Sequence, residues 1–287
     1  MTELGQRPTP PGWFPDPDGT PNLRLWDGMR WTSARVQAQV AGLAPSGFAP
    51  PGMPVAKEAI VPLPLVAAIT AIVATGVSLT ASKFLIEGLV QYRWPIAVYT
   101  AIAAIVGYGP LLLMCIGASR RWGTGSLRAD LGVSFRRVDL GWGPVTWVAC
   151  FLGQIVAAVV VVTTKLPFES NTEGLADRAG DRAYIIAFAI LAVICAPIVE
   201  ELVFRGVVLR GLLSRTRVWV AVGIQGVLFG AAHIDPVRGM KNVGLVLVLS
   251  SVGVVLGGAA LLFRRLAPSM IAHALLNTVA LIVILNN

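Results

Sequence analysis

Seven apolar runs organise most of this chain. They lie near 60–81, 94–118, 140–163, 183–213, 217–233, 243–263 and 267–285, each separated from the next by a short polar connection. A bilayer core needs about 20 consecutive apolar residues in helical form. The pattern therefore predicts an all-α polytopic membrane protein with about seven transmembrane helices. The fourth run is too long for a simple span and contains Pro197, which predicts a kink that frees backbone carbonyls. No internal repeat is visible, which counts against an inverted-repeat transporter.

The first 57 residues differ, holding ten of the nineteen prolines and no apolar run. The stretch 12–19, Gly-Trp-Phe-Pro-Asp-Pro-Asp-Gly, reads as turn-rich. Leu23-Arg24-Leu25-Trp26 and Met29-Arg30-Trp31-Thr32 flank Asp27-Gly28, a two-residue hairpin signal. Three tryptophans, Trp13, Trp26 and Trp31, are enough for a miniature core. The expected organisation is a small β-hairpin module at 1–40, a Pro/Gly/Ala-rich linker at 41–57 and a transmembrane domain at 58–287. The first span is expected to serve as an uncleaved signal anchor, since no apolar signal-peptide region precedes it.

Composition agrees. The chain of 287 residues is 55% hydrophobic and 13% charged, against about 25% charged for soluble domains. The net charge of +8 does not call for nucleic acid, because the basic residues form no single stripe. They cluster in loops instead, where they set orientation. The 119–139 connection carries Arg120, Arg121, Arg128, Arg136 and Arg137 against Asp130 and Asp139. The 164–182 connection carries Lys165, Arg178 and Arg182 against Glu169, Glu173, Asp177 and Asp181. The first is expected to be cytoplasmic, which puts the N-terminus inside the cell. Arg264 and Arg265 read as topology anchors. Cys115, Cys150 and Cys195 lie in predicted spans and read as small buried hydrophobes.

Glu200 and Glu201 stand inside the long fourth run. A charged side chain at mid-membrane costs roughly 2.5–3.5 kcal/mol on insertion scales, so an adjacent pair marks a functional site. Neighbouring helical residues point about 100° apart. Glu201 and Arg205, at i and i+4, can pair on one face. Glu200 is left facing elsewhere without a local counter-charge, which makes it the candidate general base. The two histidines of the chain, His233 and His273, also lie in or beside apolar runs. With a turn at 214–216, Glu200 sits about 21 Å back from the turn and His233 about 24 Å forward, which is similar depth. His273 fits less well, only roughly 9 Å in from Ala267. A tilted or partial sixth segment, or a re-entrant start to the seventh, would reconcile it. His273 and Asn277 share one face at i and i+4.

Three ordered motifs carry a family resemblance: Glu200-Glu201-Leu202-Val203-Phe204-Arg205-Gly206, Phe229-Gly230-Ala231-Ala232-His233 and His273-Ala274-Leu275-Leu276-Asn277. They resemble the EExxFRG, FxxxH and HxxxN motifs of the intramembrane proteases that include CAAX prenyl endopeptidases and bacteriocin-processing or self-immunity proteins. The similarity covers about residues 120–285. The resemblance implies hydrolysis of a peptide bond in a membrane-associated protein or peptide. Glu200 would activate water, supported by Glu201 and Arg205. His233 would hold the water or a metal, and His273 and Asn277 would stabilise the oxyanion. It leaves open a metalloprotease, with zinc or another divalent ion on Glu200, His233 and His273, or a metal-free glutamate protease. The N-terminal segment resembles a Trp-rich module, GW(Y/F)PDP…WDG…WT, of actinobacterial membrane proteins. That implies a bacterial plasma-membrane location and a docking or stabilising role. The alternatives are a non-catalytic scaffold or immunity protein and a proton-coupled transporter.

Overall fold

The computed structural model describes residues 12–20, 22–26, 30–37, 63–169, 175, 179–234 and 242–286. It divides into two compact units, Met1–Lys57 and Glu58–Asn287. The Asp27-Gly28 turn, the linker, the opening residues of the first apolar run, and Glu173, Asp177 and Arg178 lie outside the described residues.

The first unit is a three-stranded antiparallel sheet of β1 (Gly12–Pro15), β2 (Asn22–Trp26) and β3 (Trp31–Gln37), in that order. The hairpin expected around Asp27-Gly28 is the β2–β3 pair, with Trp26 opposite Trp31. The stretch read as turn-rich divides: its first half is strand β1, paired with β2 from Gly12↔Trp26 to Pro15↔Leu23. Pro15 has no N–H to donate, and β1 is an edge strand, where that loss is tolerated. Trp31 packs edge-on against Trp26 at 5.2 Å and Phe14 at 6.3 Å between ring centroids, giving the small apolar cluster. Asp16 accepts from Thr20 Oγ1 at 2.8 Å and Arg35 Nε at 2.5 Å. Burial pushes the Asp16 carboxyl up. The hydrogen bond from Arg35 and those from the Asp18 amide and Thr20 outweigh it, and its pKa falls to about 2.

The second unit is helical throughout its long elements. These are α1 (Leu65–Leu89), α2 (Ile96–Trp122), the short α3 (Leu127–Leu131), α4 (Asp139–Thr164), α5 (Arg182–Leu213), α6 (Val218–Ala231), α7 (Val243–Phe263) and α8 (Ala267–Asn286). Among the described residues six helices are long and apolar enough to cross a membrane. The 14 residues of α6 are apolar but shorter. Large apolar side chains stand on the outside, among them Ile105, Leu113, Val162 and Leu262, each at least 69% exposed. In water such a surface would drive association; facing lipid it has no such cost.

Helix α5 is not uniform. Two π-helical segments, Ile190–Cys195 and Leu202–Val208, flank the α-turns Ala196–Glu201. The amide of Ala196 bonds Leu191 O, five residues back, and that of Leu209 bonds Phe204 O. In this register the carbonyl of Ala192 should receive the amide of residue 197, but that residue is Pro197, which has none. The predicted disturbance at the proline is therefore a widened turn with a freed carbonyl. Each widened turn also re-phases the side chains beyond it by about one residue, roughly 100°.

The 123–139 connection folds back onto the helices. Asp130 is fully buried and accepts from Ser119 Oγ at 2.6 Å, Thr124 N and Oγ1 at 2.9 Å, and Gly125 N at 3.0 Å. Burial pushes its carboxyl up, and these hydrogen bonds outweigh it, holding it below the usual carboxylate range. Arg210 Nη1 donates to Ala129 O at 2.9 Å, and Leu266 N donates to Gly132 O at 2.9 Å. Gly132 has φ 78°, and a Cβ there would lie 2.6 Å from the Arg210 guanidinium. Arg265, read from sequence as a topology anchor, instead makes a bidentate pair with buried Asp139, Nε donating at 2.8 and 2.9 Å. One connection thus ties the end of α5 to the turn between α7 and α8.

Asp130→Ala removes the acceptor for all these donors and should lower stability by about 3 kcal/mol, read as a fall in melting temperature in detergent. Because the folded-state pKa is depressed, the contribution of Asp130 is full above its unfolded value of about 3.9. It is lost as pH falls through the folded value, so wild type and Asp130→Ala should converge in strongly acidic buffer.

Candidate active site

Three helices, α5, α6 and α8, deliver the motif residues to one place. Glu201 and Arg205 on α5 pair as the i, i+4 spacing predicts, Nη1 to Oε1 at 2.7 Å, and both are buried. Arg205 Nη2 also donates to Gly253 O of α7 at 3.3 Å. Its guanidinium lies 4.4 Å from the centroid of the Phe229 ring on α6, within cation–π range. His273 Nδ1 on α8 lies 3.1 Å from the same Glu201 Oε1. The pair is therefore a junction of α5, α6, α7 and α8. Phe229 touches Phe204, His233 and His273 with ring centroids at 5.3, 4.9 and 5.6 Å, which is why an aromatic precedes the histidine by one turn.

Close helix approach makes this possible. A Cβ on Gly253 would sit 2.8 Å from Gly226 Cα, and one on Gly230 would sit 2.3 Å from Ser250 Oγ. The small residues of α6 and α7 pack as close helix contacts do in membranes, bringing Gly253 O within reach of Arg205 and of Gln225 Nε2 at 3.4 Å.

Glu200 points elsewhere, as adjacent helical positions require. Its Oε1 accepts from Tyr108 OH of α2 at 2.9 Å. Its Oε2 lies 3.9 Å from His233 Nε2 and 3.8 Å from His273 Nε2 and has no hydrogen-bond partner among the described residues. His233 Nδ1 lies 2.8 Å from Phe229 O. A carbonyl only accepts, so Nδ1 carries a proton and the neutral ring presents the Nε2 lone pair toward Glu200. Tyr108 was not picked out from the sequence. Its only signal there is a phenol inside an apolar span two residues before Pro110.

The depth of His273 has a structural answer. The α7–α8 turn hangs from Gly132, and Gly206 packs against Leu131, where a Cβ would lie 3.2 Å away. The turn is thereby drawn inward to the level between Gly206 and Arg210. Glu201 is five to nine residues from that level, about 8–14 Å, which brackets the 9 Å from Ala267 to His273. Asn277 lies about one turn, 6 Å, beyond His273. Its amide donates to Ala192 O at 2.6 Å, the carbonyl freed by the π turn and Pro197.

The donor set admits a fit test for a metal. Among the described residues no group of three His, Cys, Asp or Glu side chains stands close enough to hold a metal ion. Tetrahedral zinc with ligand bonds of about 2.0–2.2 Å brings its N and O ligands to roughly 3.3–3.5 Å. Here the separations are 3.8 and 3.9 Å, wider than that ligand spacing.

The stretch 182–279 matches the family model described as type II CAAX prenyl endopeptidase Rce1-like. That stretch is similar to an Rce1-like domain. It runs from the start of α5 through most of α8 and contains Glu200, Glu201, Arg205, His233, His273 and Asn277, while α1 to α4 lie before it. Residues 11–44 match a family of proteins of unknown function, DUF2510. Neither curated proteins nor solved structures give a match to the chain.

The junction predicts a specific asymmetry within the Rce1-like domain. Arg205→Ala strands buried Glu201 and should cost about 3–5 kcal/mol. Arg205→Met combined with Glu201→Gln should cost clearly less, because neither charge of the pair is left without the other. Thermal unfolding of the three proteins in one detergent checks this.

Proposed function

We propose that this protein is an intramembrane endopeptidase that cleaves a membrane-associated protein or peptide with glutamate-activated water. The observation that carries the reading is the convergence of Glu200 Oε2 with two imidazole Nε2 atoms, at 3.8 and 3.9 Å, inside an Rce1-like domain. The wide spacing favours a water over a metal ion between them, and no step below needs a metal.

In this mechanism the water bridges Glu200 Oε2 and His233 Nε2. Its oxygen attacks the scissile carbonyl carbon while Glu200 Oε2 takes a proton, general-base catalysis of the usual kind. His273 donates to the developing oxyanion through Nε2, with its ring carrying both protons and Nδ1 bonded to Glu201. Asn277 uses one amide hydrogen on Ala192 O, which leaves its second for the same oxyanion. The C–N bond then breaks, and the proton held by Glu200 passes to the departing amine. Glu201 and Arg205 act by holding His273 and the helix crossing, not by touching substrate.

Loop charge supports a cytoplasmic N-terminus, since the 119–139 connection carries five arginines against two aspartates, and the resemblance of the N-terminal segment to an actinobacterial module supports a bacterial plasma membrane. The Trp-rich unit on that side is suited to docking another protein.

Glu200→Gln should lower cleavage by at least about 10²–10⁴-fold while the protein still inserts and unfolds at an unchanged temperature. Comparative membrane proteomics of wild-type and Glu200→Gln cells checks this, with the substrate accumulating uncut in the variant; undiminished cleavage by the variant sinks the assignment. A strong chelator should leave the activity of the purified enzyme unchanged, and metal analysis should find no stoichiometric ion.

A further inference from the structure

The hydrogen bond that fixes Glu200 comes from outside the Rce1-like stretch. Among the described residues Glu200 has one such bond, from Tyr108 OH at 2.9 Å, and its side chain is 14% exposed. Neither imidazole is within hydrogen-bond distance of it. A carboxylate turns freely about its last torsion, whose minimum is broad and twofold. Left alone, the two oxygens of Glu200 would exchange places, and either could swing away from His233 and His273. The Tyr108 donor ends that equivalence: it holds Oε1, and Oε2 is left as the oxygen that faces both Nε2 atoms.

Tyr108 has a second exposure. The same ring helps line a cleft of about 410 Å³ between α1 and α2, with Leu191 of α5 beside it. The α2 wall next to it is Ala103, Ala104 and Gly107, so the phenol is the first bulky group along that wall. Tyr108 thus borders the cleft while its hydroxyl is the clamp on Glu200.

We propose that Tyr108 is a positioning residue of the hydrolysis: α2 supplies the donor that orients Glu200, so that Oε2 is the oxygen presented to water. The inference rests on the glutamate-activated reading above. General-base catalysis requires the base within hydrogen-bond reach of the proton it takes, and a misplacement of 1 Å can cost about 10²-fold in rate. The effect belongs in kcat, because the clamp acts on the base and not on substrate affinity.

Tyr108→Phe keeps the ring and deletes the donor, so it tests the clamp without opening a cavity. Two measurements on the full-length purified protein decide it. The first needs no substrate: the infrared carboxylate band that disappears in Glu200→Gln should move in Tyr108→Phe, while the melting temperature stays within a few degrees of wild type. The second uses an internally quenched peptide carrying the cleavage site of the precursor that accumulates in Glu200→Gln cells. Its kcat should fall about 10–100-fold with KM within about twofold. An unmoved infrared band overturns the proposal, and so does a moved band with unchanged kcat. Cleavage by Glu200→Gln would overturn the underlying mechanism instead, an outcome the infrared comparison does not depend on.

Discussion

The Glu201–Arg205 ion pair is the constraint around which the helical unit is arranged. Both side chains are withdrawn from solvent and from lipid, and desolvating two charges costs several kcal/mol per ion unless their remaining polar atoms are met. Arg205 meets much of that demand with Glu201, the Gly253 carbonyl and the Phe229 ring. Glu201 takes Arg205 and His273 on its Oε1, while Glu201 Oε2 and Arg205 Nε have no hydrogen-bond partner among the described residues. The partners outside the pair come from α6, α7 and α8, so satisfying one buried pair on α5 fixes the crossing of four. The close glycine packing of α6 against α7 follows, since Gly253 O has to come within 3.3 Å of the guanidinium.

Two adjacent carboxylates can then do different work. Glu201 is locked on one face by a cation and an imidazole. Glu200, rotated by one residue, faces a phenol and two Nε2 atoms and keeps one oxygen without a hydrogen-bond partner among the described residues. The widened turns on either side of Ala196–Glu201 help set this phase. One of them also produces the free Ala192 carbonyl that receives Asn277. A proline that would break an ordinary helix here supplies an anchor for α8.

The polar strap at 123–139 serves the same end from a distance. Asp130 folds the connection upon itself, Gly132 accepts the amide of Leu266, and Asp139 grips Arg265. Together they draw the start of α8 inward from the end of α5. His273 sits only six residues into its helix, and this displacement is what lets it reach Glu201.

Much of this was legible in one dimension. Apolar run length placed most helices to within a few residues, because the bilayer admits little else; the first, read as 60–81, spans Leu65–Leu89. The i, i+4 rule paired Glu201 with Arg205 and turned Glu200 away from both. Equal distance from the 214–216 turn put His233 level with Glu200. The strand character of Gly12–Pro15 was hidden, since its pairing depends on β2 and its Pro and Gly content reads as turn. Tyr108, the Asp139–Arg265 pair and the depth of His273 were hidden for a common reason. Each depends on contacts between residues 70 to 130 positions apart, and no local period encodes which helices lie side by side. The sequence alone determined which motif residues are candidates for the chemistry and which way each faces on its helix; tertiary packing decided what each one meets, because buried charges and freed carbonyls had to find partners on other helices.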